Sequence, residues 1–528
     1  MAHIQATGFY MVQYDFSNAW IVTTRGDGTG VARLSITVAS GCTLLLDGTA
    51  RFYADAAGTL DESDTWTPTS GSLQTRYVRC PSGTANLVFN DPDLLLSFGH
   101  VTNWTGGSPA WTYDTTHPET LVNIPSLTIA NWNYPNCIDI YAAYYQLITC
   151  NININQLSPS LLYFLGTNQG AISGDLVDLP LTTEIFSLFY TCSVTGDIAN
   201  IPASIEYFRL GTGNTITGDI TDLKEGLLEF FVSGSNTISG DIANLPSTLV
   251  YISLSGNNTV SGDLADFSVV LTNISISGNN TISGNIEDIK ADVTYFYIDG
   301  DNVISGDLDN WPSDSVIATL RIAGSNTITG GFTALPDTLM NIIIGGSNTV
   351  DGLIEDIPVS VTTVNISGDN IIAGTLDNLP SGCKFTVLAI SGNNIVAGDL
   401  ANLPSTLLTV SLVGANTVYG DLNDLVSTLR SITLVGDNAI ADYTPPSGGK
   451  TWYSLANSAA AFNFRPASAG GLSSTEVDDL IIDLDASTTT SRTNALTIYI
   501  TGNNDARTSA SDAAVASLLA HNITVVTN

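Results

Sequence analysis

The feature that most constrains this chain is that it repeats itself. "NISISGNNTISGNIEDI" runs from Asn273 to Ile289; one period earlier the chain reads "YISLSGNNTVSGDLADF", and later "LAISGNNIVAGDLANL". Aligned on the glycine of the Ser-Gly-Asp-like tripeptide, the phrase recurs at Gly174, Gly196, Gly218, Gly240, Gly262, Gly284, Gly306, Gly330, Gly352, Gly374, Gly398 and Gly420. The steps are equal except for Gly306 to Gly330 and Gly374 to Gly398, which are slightly longer. A fixed period of roughly 20–50 residues marks a solenoid or a related array. One such unit cannot bury its own apolar face, so stacked units must share a core and present the same residues in register.

Inside the repeat, Leu249, Ile252, Leu254, Val260, Leu264 and Phe267 are followed at the same offsets by Leu271, Ile274, Ile276, Ile282, Ile286 and Ile289. The alternation at 252–254 predicts a strand with one buried face, and the other apolar positions are spaced for a return path. Pro202, Pro246, Pro336, Pro358, Pro380 and Pro404 close that path, since proline cannot continue a ladder. Four residues before the phased glycine stands an asparagine: Asn214, Asn236, Asn258, Asn280, Asn302, Asn326, Asn348, Asn370, Asn394 and Asn416, with Asn438 continuing the series beyond the last glycine. Cys192 holds the place in an earlier unit and Gly170 breaks the pattern.

Written Leu249-x-x-Ile252-x-Leu254-x-x-x-Asn258 and followed by Ser-Gly-x-[Ile/Leu], the unit resembles the plant-type subclass of leucine-rich repeats over about residues 120–442. It departs from that family by one extra residue before the asparagine. The resemblance implies a mainly β, right-handed solenoid of about 12 repeats, each of roughly 22 residues. It also implies a structural asparagine ladder that satisfies backbone groups inside the turn, and a binding rather than a catalytic role. Stacked asparagine amides would also be placed to bond to one another.

The ends lack the repeat. Residues 1–118 carry alternating runs such as "ARLSITVA" and "ANLVFND" between turn residues, which predicts an antiparallel β-sandwich, read as an anchoring domain. Residues 119–170 hold degenerate repeats, 171–442 the solenoid, and 443–528 an α/β cap that begins after "YTPPSGGKTW". In the cap, "LSSTEVDDLIIDLD" predicts a helix started by Ser473 or Ser474. A cap is needed because a bare sheet edge aggregates.

Charge narrows the partners. The net charge is −35 with four lysines, Lys224, Lys290, Lys384 and Lys450, so neither nucleic acid nor an anionic membrane is an expected partner. No apolar stretch is long enough to predict a membrane span, and the start of the chain lacks the pattern of a secretory leader. Six cysteines are too few for a disulfide framework, and none of the four histidines, His3, His100, His117 and His521, lies in a metal or nucleophile motif. His117 in "DTTHPET" reads as a loop residue.

Two acidic columns follow the glycine, one at Asp219, Asp241 and Asp263 and one at Asp222 and Asp266. Stacked carboxylates repel. Either each caps its own turn, or calcium binds between rungs, the one cofactor these oxygens would suit. The solvent-facing strand positions concentrate large residues at Tyr207, Arg209, Glu229, Phe231, Tyr251, Tyr295, Tyr297 and Arg321, a composition typical of recognition surfaces. They form the expected ligand patch on the concave face.

The expectation is a non-enzymatic protein of a bacteriophage particle, a fibre, spike or decoration. It would be held to other virion subunits by residues 1–118 and would recognise a host surface glycan or protein through the solenoid. A bacterial surface or secreted adhesin, a purely structural virion subunit and, last, a polysaccharide-degrading enzyme are the alternatives.

Overall fold

Most coils have two strand limbs because apolar residues alternate there, and the corners between them are set by glycine, asparagine and aspartate. The structure, a computed structural model, describes residues 20–23, 32–46, 50–54, 63–70, 74–79, 84–89, 95–98, 126–129, 137, 139–142, 147–150, 152–166, 172–188 and 192–528 apart from 346, 368, 458, 459, 468 and 469. The start of the chain, Cys80, Gly170, His3, His100 and the loop with His117 lie outside the described residues. By contacts the chain divides into two compact units, Met1–Val260 and Ser261–Asn528.

In the first unit the strands β1 (Trp20–Thr23), β2 (Ala32–Val38), β3 (Leu44–Leu46), β4 (Arg51–Tyr53), β5 (Thr65–Trp66), β6 (Gln74–Arg79), β7 (Thr84–Phe89) and β8 (Leu95–Phe98) make two antiparallel sheets. β1 and β3 flank β7 and β5 adds to β3; β2 and β4 flank β6 and β8 adds to β2. Leu44, Phe52, Trp66, Leu87 and Leu95 are buried. Neither sheet ends at residue 118. β9 (Ser126–Ile129) extends β1 antiparallel, and β10 (Asp139–Ala142) pairs with β8 in parallel, Asp139 opposite Ser97. Hydrogen bonding therefore passes from the antiparallel sheets straight into the parallel coils.

Those coils stack as a leucine-rich-repeat-like solenoid of mainly β structure. The strands from Tyr163, Ile185, Tyr207 and Glu229 pair in parallel and in register, setting Phe164, Phe186, Phe208 and Phe230 side by side in the core. Their ring centroids are 5.5, 5.9 and 5.7 Å apart, within the range of favourable aromatic pairs. The second limb ends in a single 3-10 turn, as at Ile198–Asn200, Ile220–Asp222 and Ile242–Asn244.

The extra residue before each asparagine has a structural place. In Tyr207–Asp219 the register shifts between Leu210 and Asn214, and in later coils a glycine stands two residues before the asparagine with φ in the left-handed region, +130° at Gly234 and +131° at Gly256. A Cβ on Gly256 would lie 2.7 Å from the carbonyl oxygen of Gly234 and 2.8 Å from the amide of Asn236. Only glycine lets the corner turn that close to the coil beneath.

The second unit continues the same plan. From Asn273 to Gly436 its first-limb strands pair in parallel, with a register shift between Ile276 and Asn280. The sheet goes on through Ala461–Pro466, Leu496–Ile500 and Ile523–Thr527, each parallel to the last. Helices α1 (Ser474–Ala486) and α2 (Asp512–Ala520) connect these strands. Ser473 starts α1 in a reciprocal capping box with Glu476. The buried Tyr443 hydroxyl donates to Asp483 Oδ2 at 2.6 Å and accepts from Trp452 Nε1 at 3.1 Å, tying the last coil to α1.

Candidate functional site

The asparagine ladder is internal. Asn214 through Asn438 are buried in both units. Where they are bonded, Oδ1 accepts from a backbone amide of the preceding coil, and Nδ2 donates to a carbonyl of the following coil or, at Asn214 and Asn348, of the same coil. Asn236 Oδ1 accepts from the Ile216 amide at 2.9 Å and its Nδ2 donates to Ser255 O at 3.1 Å. In the second unit Asn302 and Asn326 accept from Ile282 and Ile304, and Nδ2 of Asn326 donates to Gly345 O. Cys192, in the ladder's place one coil earlier, donates its thiol to Asn214 Oδ1 at 3.1 Å, and burial pushes that thiol's pKa up. Further along, Nδ2 of Asn370, Asn394 and Asn416 has no partner among the described residues, and Asn438 has none there for either amide atom.

The first acidic column caps turns. Asp219, Asp241 and Asp263 accept from the amides of Thr221, Ala243 and Ala265 at 2.9, 3.0 and 3.0 Å. The glycine in each Ser-Gly-Asp phrase makes room for the aspartate one coil back: a Cβ on Gly240 would strike the Asp219 carboxylate. Where the cap position lacks aspartate, at Asn285, Leu353 and Thr375, an acid two residues on reaches the next coil instead. Glu287, Glu355 and Asp377 accept from the amides of Asp307, Thr375 and Asp399. The Asp399 amide holds the Asp377 carboxyl below its ordinary value. Asp222 is half-buried and Asp266 exposed. Among the described residues no three His, Cys, Asp or Glu side chains come together as a metal site, so Asp219, Asp222, Asp241, Asp263 and Asp266 are not gathered into one.

The expected ligand patch divides between the units and behaves differently in each. In the first unit Tyr207, Arg209 and Glu229 are 8, 8 and 5% exposed, which departs from the solvent-facing role read from alternation. Rungs stand about 4.8 Å apart, close enough for outward side chains to close over one another. Glu229 sits beside Tyr207, and the Arg209 guanidinium is paired with the Glu229 carboxylate. Tyr207 packs with Ile185, Tyr163 and Leu228, and burial, then Glu229, pushes its phenol pKa up. Phe231 and Tyr251 remain half-buried.

In the second unit the patch is open. Tyr295 is 40% exposed, Tyr297 half-buried and Arg321 exposed. Tyr295 stands beside Thr319 and Tyr297 beside Arg321. The Arg321 guanidinium carbon lies 4.6 Å from the Tyr297 ring centroid, and the Tyr297 hydroxyl donates to Asp299 Oδ2 at 3.3 Å. Burial, followed by the Asp299 carboxylate, raises the Tyr297 phenol pKa and keeps it a donor. Asn273 and Ser275 flank the tyrosines on one side; Asn341 and Ile343 flank Thr319 and Arg321 on the other. At the two central outward positions of these strands, from Asn273 to Thr433, Arg321 is the one cation and there is no carboxylate.

A second outward surface escaped the sequence reading. The residue after every ladder asparagine but Asn438 is β-branched and exposed: Thr215, Thr237 and Thr259 in the first unit, and Thr281, Val303, Thr327, Thr349, Ile371, Ile395 and Thr417 in the second. Strand pairing sets Thr195 beside Thr215 and Thr217 beside Thr237, and in the second unit Ser305 beside Thr327 and Thr329 beside Thr349. The signal was present in the phrase "NTISG", whose threonine and serine flank the buried isoleucine.

No family model and no curated protein matches the chain. Among solved structures it is similar to one described as PEPR1-AtPEP1, at 19% identity and TM-score 0.49, covering 72% of this chain and 55% of that one. It is also similar to the plant peptide hormone receptor RGFR1 in complex with RGF2, at 15% identity and TM-score 0.41, covering 75% and 84%. A plant ice-binding protein is similar at 17% identity and TM-score 0.29, covering 39% and 71%. The chain spans about half the length of the first. Among the described residues no helix is long and apolar enough to cross a membrane.

Proposed function

We propose that this is a non-enzymatic binding protein that docks a surface glycan or protein on the first-limb sheet of its second unit, at Tyr295, Tyr297 and Arg321. The observation that carries the reading is an exposed tyrosine next to an arginine stacked on a second tyrosine, among central strand positions that hold no other charge. Aromatic rings and arginine supply large contact area at low entropic cost and dominate recognition surfaces. Tyrosine faces also suit the apolar C–H faces of sugar rings. The test is retention of host surface extract by the immobilised chain. Tyr295→Ser with Tyr297→Ser abolishes retention; undiminished retention removes this face from the site.

We place the protein on the surface of a bacteriophage particle, joined to other virion subunits through residues 1–118, with display by a bacterium as the alternative. What supports this setting is composition: a charge of −35, four lysines, and polar positions filled by Asn, Thr, Ser and Gly. Flanking capsid and tail genes are the expected observation; an export signal encoded in the same reading frame overturns it.

The threonine rows favour a second reading. Neighbouring strands repeat a methyl and a hydroxyl at one spacing of about 4.8 Å, a pattern that suits an ordered water layer such as an ice surface. Replacing Thr327 and Thr349 by Lys leaves ice recrystallisation unaffected if the rows are no more than good strand formers, and relieves inhibition of it if they hold water.

A further inference from the structure

We infer that the ligand of the Tyr295–Tyr297–Arg321 face is a saccharide bearing a carboxylate, a uronic or sialic acid. This rests on that face being the binding site and names its ligand class. The chain carries a net charge of −35, so most of its surface repels an acidic ligand over a Debye length of about 8 Å in physiological salt. The face from Asn273 to Thr433 is different: its central outward positions hold no carboxylate and the single cation Arg321. Complementary charge is therefore concentrated at one place.

The geometry there is already set. Asp299 holds the Tyr297 hydroxyl, and the Tyr297 ring carries the guanidinium at 4.6 Å. Arg321 makes no ion pair among the described residues. Its planar fork of donors is thus fixed on the ring and available to a carboxylate, which arginine grips through two parallel hydrogen bonds. The exposed ring of Tyr295, two residues away on the same strand, offers the apolar surface for a pyranose face. Around the pair stand hydroxyl and amide side chains, Ser275, Thr319 and Asn341, which match sugar hydroxyls. An acidic peptide would find the same arginine, and an acidic peptide in the test separates it from a saccharide.

The experiment titrates the full chain with an oligogalacturonate, its methyl ester, and an oligoglutamate of equal charge. The unmodified chain binds the uronate about tenfold or more tightly than the ester, the size of effect expected when a hydrogen-bonded charge pair is lost. Arg321→Gln erases that difference without moving the melting temperature, since the side chain is exposed, and Arg321→Lys restores only part of it. Equal binding of acid and ester, or no binding of either, overturns the carboxylate assignment. Oligoglutamate binding as tightly as the uronate overturns the saccharide. The host-extract retention of Tyr295→Ser with Tyr297→Ser is read separately, so loss of the carboxylate assignment leaves the docking face standing, and loss of the face shows in that variant alone.

Discussion

At the scale of single residues, the ladder asparagines do more than mark the repeat. Each is a buried amide, and a buried amide is stabilising only when both its ends are bonded. Asn326 has both, an amide of the coil before and a carbonyl of the coil after; Asn438 has neither among the described residues. Asn326→Ala should therefore lower stability by about 1–3 kcal/mol, because it strands the Ile304 amide in the core, while the Gly345 carbonyl keeps its bond from Asn348 Nδ2. Asn438→Ala should cost under about 1 kcal/mol, since it leaves no bonded partner behind. Chemical denaturation of the two variants checks this, and equal losses would show that the bridging bonds carry no weight. The ladder itself was legible in the sequence as a spacing. Where its amides go was not, because the partner sits on another coil, as Ile216 does for Asn236.

At the scale of elements, the acidic columns resolve into caps and cross-coil bonds. Removing a cap such as Asp241 should cost about 0.5–2 kcal/mol, read as a lower melting temperature. EDTA should leave the melting temperature of the unaltered protein where it is, because each carboxylate of the first column already accepts from its own turn; a fall would reinstate calcium. In the C-terminal segment Asp478 fastens the start of α2, accepting from Thr508 and Ser511. Burial pushes its pKa up, yet those hydrogen bonds outweigh burial and hold it below the ordinary carboxylate value. A group depressed on folding adds stability above its unfolded pKa of about 3.9 and loses it as pH falls through the folded value. Melting curves of Asp478→Asn and the unaltered protein should differ at pH 6, begin to converge only below about pH 4, and meet below the folded pKa. Caps at Asp were readable from the turn chemistry of the column. The cross-coil bonds of Glu287, Glu355 and Asp377 were not, since each depends on an aspartate missing from the cap position of its own coil and on an amide of the next.

At the scale of the molecule, stability in a repeat array is local, each coil resting on its neighbours. The second unit's sheet runs on through Ala461–Pro466 to Ile523–Thr527. Ending the chain at residue 442 should expose the Ser431–Gly436 edge and bring concentration-dependent aggregation in size-exclusion chromatography; a monodisperse product would show that the edge protects itself. The phase of the coils and the buried strand positions were determined by sequence alone, because a short fixed period writes one local environment many times over. Tertiary structure alone decided which outward residues stay available. Alternation put Tyr207, Arg209 and Glu229 on the same face as Tyr295, Tyr297 and Arg321, but exposure depends on the neighbouring rung: an opposite charge one strand away closes the first group, while hydroxyls and amides leave the second open.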